Sequence, residues 1–324
     1  MTQAAPGKSY RVGISLPKLF KMFPNDAVAE QWFVDQRWPN GPHCPHCGST
    51  NVQSNASHKT MPYRCRQKDC RKRFSVRTGT TMQASNLDYQ TWAIAIYLMS
   101  TNIKGISSMR LHRELEVTQK TAWHLAMRLR KSLEDDGVDL PFNGPIEADE
   151  TYVGGLEKNK HVNKKLNKGR GGVGKAIVVG AKDRDTNKVT AKVVASNDKK
   201  NLHGFVKSVT DTDAQVYTDE GLGYVGIDRP HETVCHSAGE YVRAQAHTNG
   251  IESFWALLER GHKGTFHKFS KKHLQRYVSE FSGRHNVRPM NTETQMKKMA
   301  TGLVGKELPY KQLIADNGLN NGAR

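Results

Sequence analysis

The sequence predicts a multidomain chain of the α+β / α/β kind, with small cysteine-bearing and helical modules ahead of a mixed-sheet core. Three observations carry this. Two cysteine pairs fall in one short segment between Trp38 and Phe74. A strongly helical stretch follows at 87–134. From Gly144 the pattern changes to short β-branched and aromatic runs bounded by Gly, Asn, Asp or Pro, and helical periodicity returns at 240–284. At 324 residues there is room for a sizeable core and more than one domain.

Composition narrows the function classes. Lys and Arg number 49 against 31 acidic residues, a net charge of +18, and the mean hydropathy is −0.68. Clustered positive charge favours a polyanionic partner, because each neutralised phosphate releases counterions. No apolar run approaches the ~20 residues of a membrane-spanning helix, and MTQAAPGKSYRVG lacks the apolar segment of a signal peptide. The expectation is a cytoplasmic, nucleoid-associated protein with no membrane partner. In that reducing compartment five cysteines point to metal rather than to disulfides.

The first segment, 1–40, places Leu16, Phe20, Phe23, Ala27 and Trp32 at helical spacing. Pro24 splits it into two helices, with Asn25 or Asp26 as the cap of the second. Segment 41–80 holds two knuckles, Cys44-Pro-His-Cys47 and Cys65-Arg-Gln-Lys-Asp-Cys70, 17 residues apart. Paired thiolates from two turns are what a tetrahedral four-cysteine zinc site requires. With four protein ligands the zinc is structural, since no position is left for substrate. His43 and His46 are competing ligands, and the four sulfurs are preferred. Lys72 and Arg73 crowd the second knuckle and are expected to face phosphate. Cys235 is left over and reads as an ordinary buried cysteine.

Segment 85–136 reads as a helix-turn-helix. Ile106, Leu111 and Leu115 form one short apolar face, and Thr118 caps a second helix whose Ala122, Leu125 and Leu129 face inward. Gln119, Lys120, His124, Arg128 and Arg130 are expected to point outward, toward DNA.

Segment 143–290 begins with four expected strands, at 146–153, 176–183, 189–196 and 214–219. Between the first two lies a polar segment of 22 residues rich in Gly, Lys and Asn, a basic loop whose Lys164 and Lys165 are candidate DNA contacts. Strand alternation puts Asp149 on the face opposite Ile146 and Ala148, the catalytic or solvent-accessible side, shared with Glu147 but not with Glu150. Asp219 ends its strand. Glu252 opens a helix with Ile251, Phe254, Trp255 and Leu258 as its buried stripe. Carboxylates delivered by separate elements can hold hard divalent cations, which activate water or a hydroxyl against a phosphodiester. A β-meander, a further strand and then helices is the order of a ribonuclease H-like core, in which the first and fourth strands are neighbours. The tail, 291–324, carries no clear signal.

IEADETYVGG, VYTDEG and the long block from His236 to Asn286 resemble the bacterial insertion-sequence DDE transposases related to the Merlin elements, which also carry an N-terminal zinc ribbon. The resemblance runs from about Phe23 to Arg288. It implies a ribonuclease H-like catalytic domain, two Mg²⁺ or Mn²⁺ ions, and cut-and-paste movement of the element's own DNA. Double-stranded DNA is then the partner, as terminal inverted repeats and as target. A homodimer or larger assembly would hold two ends together. Asp149 and Asp219 match the first two acids. Glu252 is taken as the third, with Asn249 as its rival. Two helical turns on, where such proteins carry a basic residue, stands Glu259. Lys263, just beyond it, is a candidate for positioning phosphate. Two other readings share these residues: a structure-selective nuclease on the same fold, and a domesticated or inactive DNA-binding derivative.

Overall fold

The computed structural model describes residues 12–134, 140–155, 161–165, 172, 174–234 and 247–315. They form two units: residues up to Leu133 together with Val287–Ala315, and Glu134–Asn286.

In the first unit, Ser15 caps α1 (Leu16–Met22). Asn25 then caps α2 (Asp26–Arg37) by accepting the Val28 amide at 3.0 Å. Leu19, Phe23, Ala29 and Phe33 are buried, whereas Leu16 and Phe20, expected inside, are 51% and 53% exposed. A two-turn helix has one inner edge, and here the i,i+4 pair Leu19–Phe23 takes it. Three short antiparallel strands follow: β1 (Val52–Gln53), β2 (Tyr63–Cys65) and β3 (Arg73–Phe74). Trp38 meets Tyr63 and Phe74 edge-on, at 5.3 and 5.9 Å between ring centres.

Asp88 caps α3 (Tyr89–Thr101), whose Trp92, Ile96 and Met99 lie at the centre of this unit's core. Two helices joined by a short turn follow, α4 (Ser108–Glu114) and α5 (Gln119–Ser132). Thr118 caps α5, and Leu111, Ala122, Leu125 and Leu129 are buried. The turn needs a left-handed residue, supplied by Glu116 at φ 53°. The tail without a sequence signal also folds here, as α9 (Thr292–Thr301) and α10 (Tyr310–Ile314). Met296, Met299 and Leu303 join the same core as α3.

The second unit is built on a five-stranded mixed sheet. The strands β4 (Ile146–Val153), β5 (Ala176–Asp183) and β6 (Val189–Val194) make an antiparallel meander. After α6 (Lys199–Val209), β7 (Val216–Asp219) returns parallel to β4 on its other side, and β8 (His231–Val234) adds beyond it. The order β6-β5-β4-β7-β8 makes the first and fourth strands neighbours, as the ribonuclease H-like reading expects. Sequence reasoning missed α6, although Leu202, Phe205, Val206 and Val209 fall at i, i+3, i+4 and i+7, and missed β8, whose HETV is short.

One face of the sheet, with Ile146, Ala148, Val179 and Ala181, packs on Leu202, Phe205, Val206 and Val209 of α6. The other carries α7 (Asn249–Gly261). Its Trp255 rests on Gly180, where a Cβ would stand 2.7 Å from the indole ring. The helix α8 (Leu274–Val287) seals the edge strand β6: Gln275 accepts the Val193 amide at 2.7 Å, and Asn286 bonds both polar groups of Val189. Such an edge is otherwise open to pairing with another chain.

Candidate functional site

The cysteine site is assembled by short-range turns. Cys44 and Cys70 approach to 3.7 Å between sulfurs, and Cys47 and Cys65 to 3.6 Å. A zinc tetrahedron with bonds of about 2.3 Å spaces its sulfurs at ~3.8 Å, so the donor set fits zinc. Cys44 and Cys65 are buried, and burial raises their thiol pKa values, which a bound cation would reverse. Among the described residues, these cysteines are the one group of three or more metal-ligating side chains with all ligand atoms within 4.8 Å of one another. His43 and His46 stand outside it. Cys235 lies outside the described residues.

The carboxylate site depends on strand register. Parallel pairing sets Ile146 against Val216 and Glu147 against Tyr217. The pairing ends there; two residues on, Asp149 and Asp219 are near enough for the charge of Asp219 to raise the Asp149 carboxyl. Asp149 points to the face opposite Ile146 and Ala148, as alternation requires. The helix α7 covers part of that face, and Asp149 remains partly exposed there. Trp255 Nε1 donates to Asp149 Oδ2 at 3.0 Å, and the Glu150 amide donates to Oδ1 at 2.8 Å. Asp219 Oδ1 accepts the Gly221 amide at 3.0 Å; a Cβ on Gly221 would stand 2.9 Å from that oxygen.

Burial, and then the charge of Asp219, push the Asp149 carboxyl up to about 7, against the lowering effect of its two donors. Glu150, set aside by alternation, is also held above its ordinary range, by burial and then by Asp219. The buried Tyr224 hydroxyl stands beside this acidic group, and burial with the adjacent carboxylates raises its pKa strongly. Two apposed carboxylates with so much uncompensated negative charge fit a hard cation.

The third acid is not drawn into that pair. Glu252 is exposed on the first turn of α7 and accepts from the Thr248 hydroxyl at 2.8 Å. Asn249 is the helix's first residue. Glu259, two turns on, pairs with Lys263 at 2.6 Å, both exposed. A basic side chain therefore does stand at this end of α7, one turn after the place expected. The helix continues through a π-helical turn, His262–Phe266.

The candidate DNA contacts divide. Lys72, Arg73, Gln119 and Lys120 are exposed. Arg128 and Arg130, read as outward-facing, are 7% and 2% exposed. Arg128 donates to the Gln83 carbonyl at 3.1 Å, and His124 Nε2 lies 3.0 Å from the Leu308 carbonyl. Burial lowers the His124 pKa. Lys120 sits over the Tyr310 ring at 4.6 Å. The segment bearing Leu308 and Tyr310 thus lies along α5, which periodicity within 101–133 could not reveal. Lys165 follows a single 3₁₀ turn, and the side chain of Lys164 lies outside the described residues.

Sequence reasoning missed two roles. Trp255 read as core, yet its indole holds Asp149; a buried Trp N–H needs an acceptor, and that was the available signal. Glu147 was noted only for its face. It is 1% exposed and bonded to Arg184 Nε at 2.8 Å.

Residues 141–286 match the model of the ISXO2-like transposase domain, and residues 24–73 that of the transposase zinc-ribbon domain. The chain is 28% identical, over 284 residues, to an uncharacterized protein in transposable element ISH50 of Halobacterium salinarum, covering 82% of this chain and 93% of that one. A simian T-cell lymphotropic virus intasome in complex with PP2A regulatory subunit B56 gamma aligns over 59% of this chain and 65% of that chain. The TM-score is 0.26 and the identity 15%, too slight a likeness to carry weight.

Proposed function

Because this chain belongs to the ISXO2-like transposases, we propose that it binds the ends of its insertion sequence and performs metal-dependent strand cleavage and strand transfer. The observation that carries this reading is the apposition of Asp149 and Asp219 on parallel neighbouring strands, with the Asp149 carboxyl raised to about 7. Asp149 and Asp219 would hold Mg²⁺ or Mn²⁺, with Glu252 completing the ligand set from α7. Bound there, the cations supply the charge that activates the attacking water, and later the 3′-hydroxyl, and that stabilises the phosphodiester in the transition state.

The chain's own contribution is positioning. The Trp255 indole and the Glu150 amide fix both oxygens of Asp149, and the Gly221 amide fixes Asp219. The zinc ribbon, with Lys72 and Arg73, and the start of α5, with Gln119 and Lys120, offer exposed donors to DNA phosphates. Two ends must be joined, so the active assembly is at least a dimer.

The test is Asp149→Ala, with binding to terminal-repeat DNA and Mn²⁺-dependent cleavage measured side by side. Cleavage should fall at least ~10³-fold, several kcal/mol of transition-state stabilisation, with binding within about twofold of wild type. Retained cleavage would remove Asp149 from the mechanism.

A further inference from the structure

The first turn of α7 is capped in an unusual way. Its N-cap residue, Thr248, makes no side-chain bond to the helix backbone. The Thr248 hydroxyl instead donates to Glu252 Oε1 at 2.8 Å. The amide it would ordinarily satisfy, that of Ile251 at the third helical position, is taken by Glu147 Oε2 at 2.8 Å, from the middle of the sheet. The other oxygen of Glu147 accepts Arg184 Nε at 2.8 Å and lies 3.3 Å from His247 Nδ1. Arg184 in turn donates to the His247 carbonyl, just ahead of the helix. The approach is close enough to require a glycine: a Cβ on Gly250 would stand 2.7 Å from Glu147 Oε2.

From this geometry we propose that Glu147 is a positioning residue: it serves as the cap of α7 from the sheet, and so frees Thr248 to hold Glu252. A carboxylate at a helix N-terminus also interacts favourably with the partial positive charge of the free amides there. The seat of α7 fixes two groups at once. Glu252 rides on its first turn, and Trp255, one turn on, holds Asp149. Glu147 and Asp149 lie two apart on one strand and face the same way, so the strand that carries the first acid also carries the anchor of the helix that brings the third. This inference rests on the proposed catalytic reading for its link to metal, and on the hydrogen bonds alone for its link to the helix.

The experiment uses full-length Glu147→Ala and Glu147→Gln with two readouts. One is hydrogen exchange at the Ile251 amide, against β4 and β5 amides as internal reference. The other is the Mn²⁺ concentration giving half-maximal cleavage, read alongside KM for DNA. In Glu147→Ala the Ile251 amide should exchange at least ~10-fold faster with the strand amides unchanged, and half-saturating Mn²⁺ should rise roughly 10-fold with KM for DNA unaltered. Glu147→Gln keeps an acceptor for the amide and loses the charge facing Arg184. It should preserve Ile251 protection and show a smaller Mn²⁺ shift, and it also serves should the alanine variant fail to fold. Unchanged protection in folded Glu147→Ala would overturn the cap. A lower melting temperature with unchanged Mn²⁺ dependence would reduce Glu147 to an ordinary structural residue. If the wild type shows no Mn²⁺-dependent cleavage, the catalytic reading fails, while the Ile251 amide still decides whether Glu147 holds the helix.

Discussion

The chain offers two very different ways of gathering metal ligands. The four cysteines lie within residues 44–70 and are brought to sulfur–sulfur distances of 3.6 and 3.7 Å by short turns. The carboxylates lie at positions 149, 219 and 252, on two strands and a helix. Parallel pairing of their strands brings the first two near each other, and the third is exposed and bonded to Thr248. The ribbon's strands are only two or three residues long, and beside its metal it is held by Trp38, Tyr63 and Phe74, which pack into the first unit's core. The carboxylate pair sits on a sheet and helices that have their own core. Metal is then a structural element in one place and, on the proposed reading, would be a removable charge in the other.

The largest effect should come from breaking the local site. Cys65→Ser replaces a fully buried ligand. Structural zinc contributes on the order of 10 kcal/mol to small domains of this kind. The variant should lose its zinc by elemental analysis and become sensitive to proteolysis at about residues 41–80, with the sheet unit still melting cooperatively. A zinc-bound, protected Cys65→Ser protein would show that the ribbon does not depend on its fourth thiolate.

The next effect sharpens the other half. Without divalent metal, Asp149 keeps its proton up to about pH 7, against 3.8 for an ordinary aspartate. The folded state therefore binds more protons than the unfolded one between these values, so stability present below pH 4 is lost as pH rises through 7. At ~1.4 kcal/mol per pH unit the loss is at most about 4 kcal/mol. In magnesium-free buffer Asp149→Asn should melt above wild type at pH 8 and level with it at pH 4. Equal melting temperatures at pH 8 would mean that neither burial nor Asp219 raises the Asp149 carboxyl. Added Mg²⁺ should stabilise wild type and leave the variant unmoved.

A smaller effect probes the helix over the pair. In Gly180→Ala the new Cβ meets the Trp255 ring at 2.7 and 2.8 Å and Ile251 at 3.2 Å. Overpacking of this kind costs about 1–3 kcal/mol. The melting temperature of the sheet unit should fall and cleavage with it, while DNA binding holds. An unperturbed variant would mean that α7 is free to shift.

What could be read without coordinates follows the same division. The knuckles, the Asn25 and Thr118 caps and strands β4 and β5 depend on neighbours in sequence, and their residues announce them. The side-by-side placement of Asp149 and Asp219 was legible only through fold order. Three things were not legible. Glu147, Arg184 and the Ile251 amide meet from segments 37 and more residues apart. Arg128 looked solvent-facing by periodicity, because nothing within α5 signals that the segment around Leu308 lies against it. Leu16 and Phe20 fit a helical stripe as well as Leu19 and Phe23 do, and only the packing partner decides between them.

The contribution of α9 to the first unit's core has a consequence in time. Met296, Met299 and Leu303 pack with Trp92, Ile96 and Met99, so the first unit is interrupted by the whole of the second. During synthesis, at ~5–20 residues per second, domains ordinarily complete themselves from the N-terminus as the chain emerges. Here the ribbon-bearing half must wait for the more than 150 residues between Leu133 and Val287 before its apolar centre can close. A chain halted anywhere within the second unit would carry its cysteines and α5 on an unfinished core. The order of translation thus ties a sound first unit to possession of a complete second one.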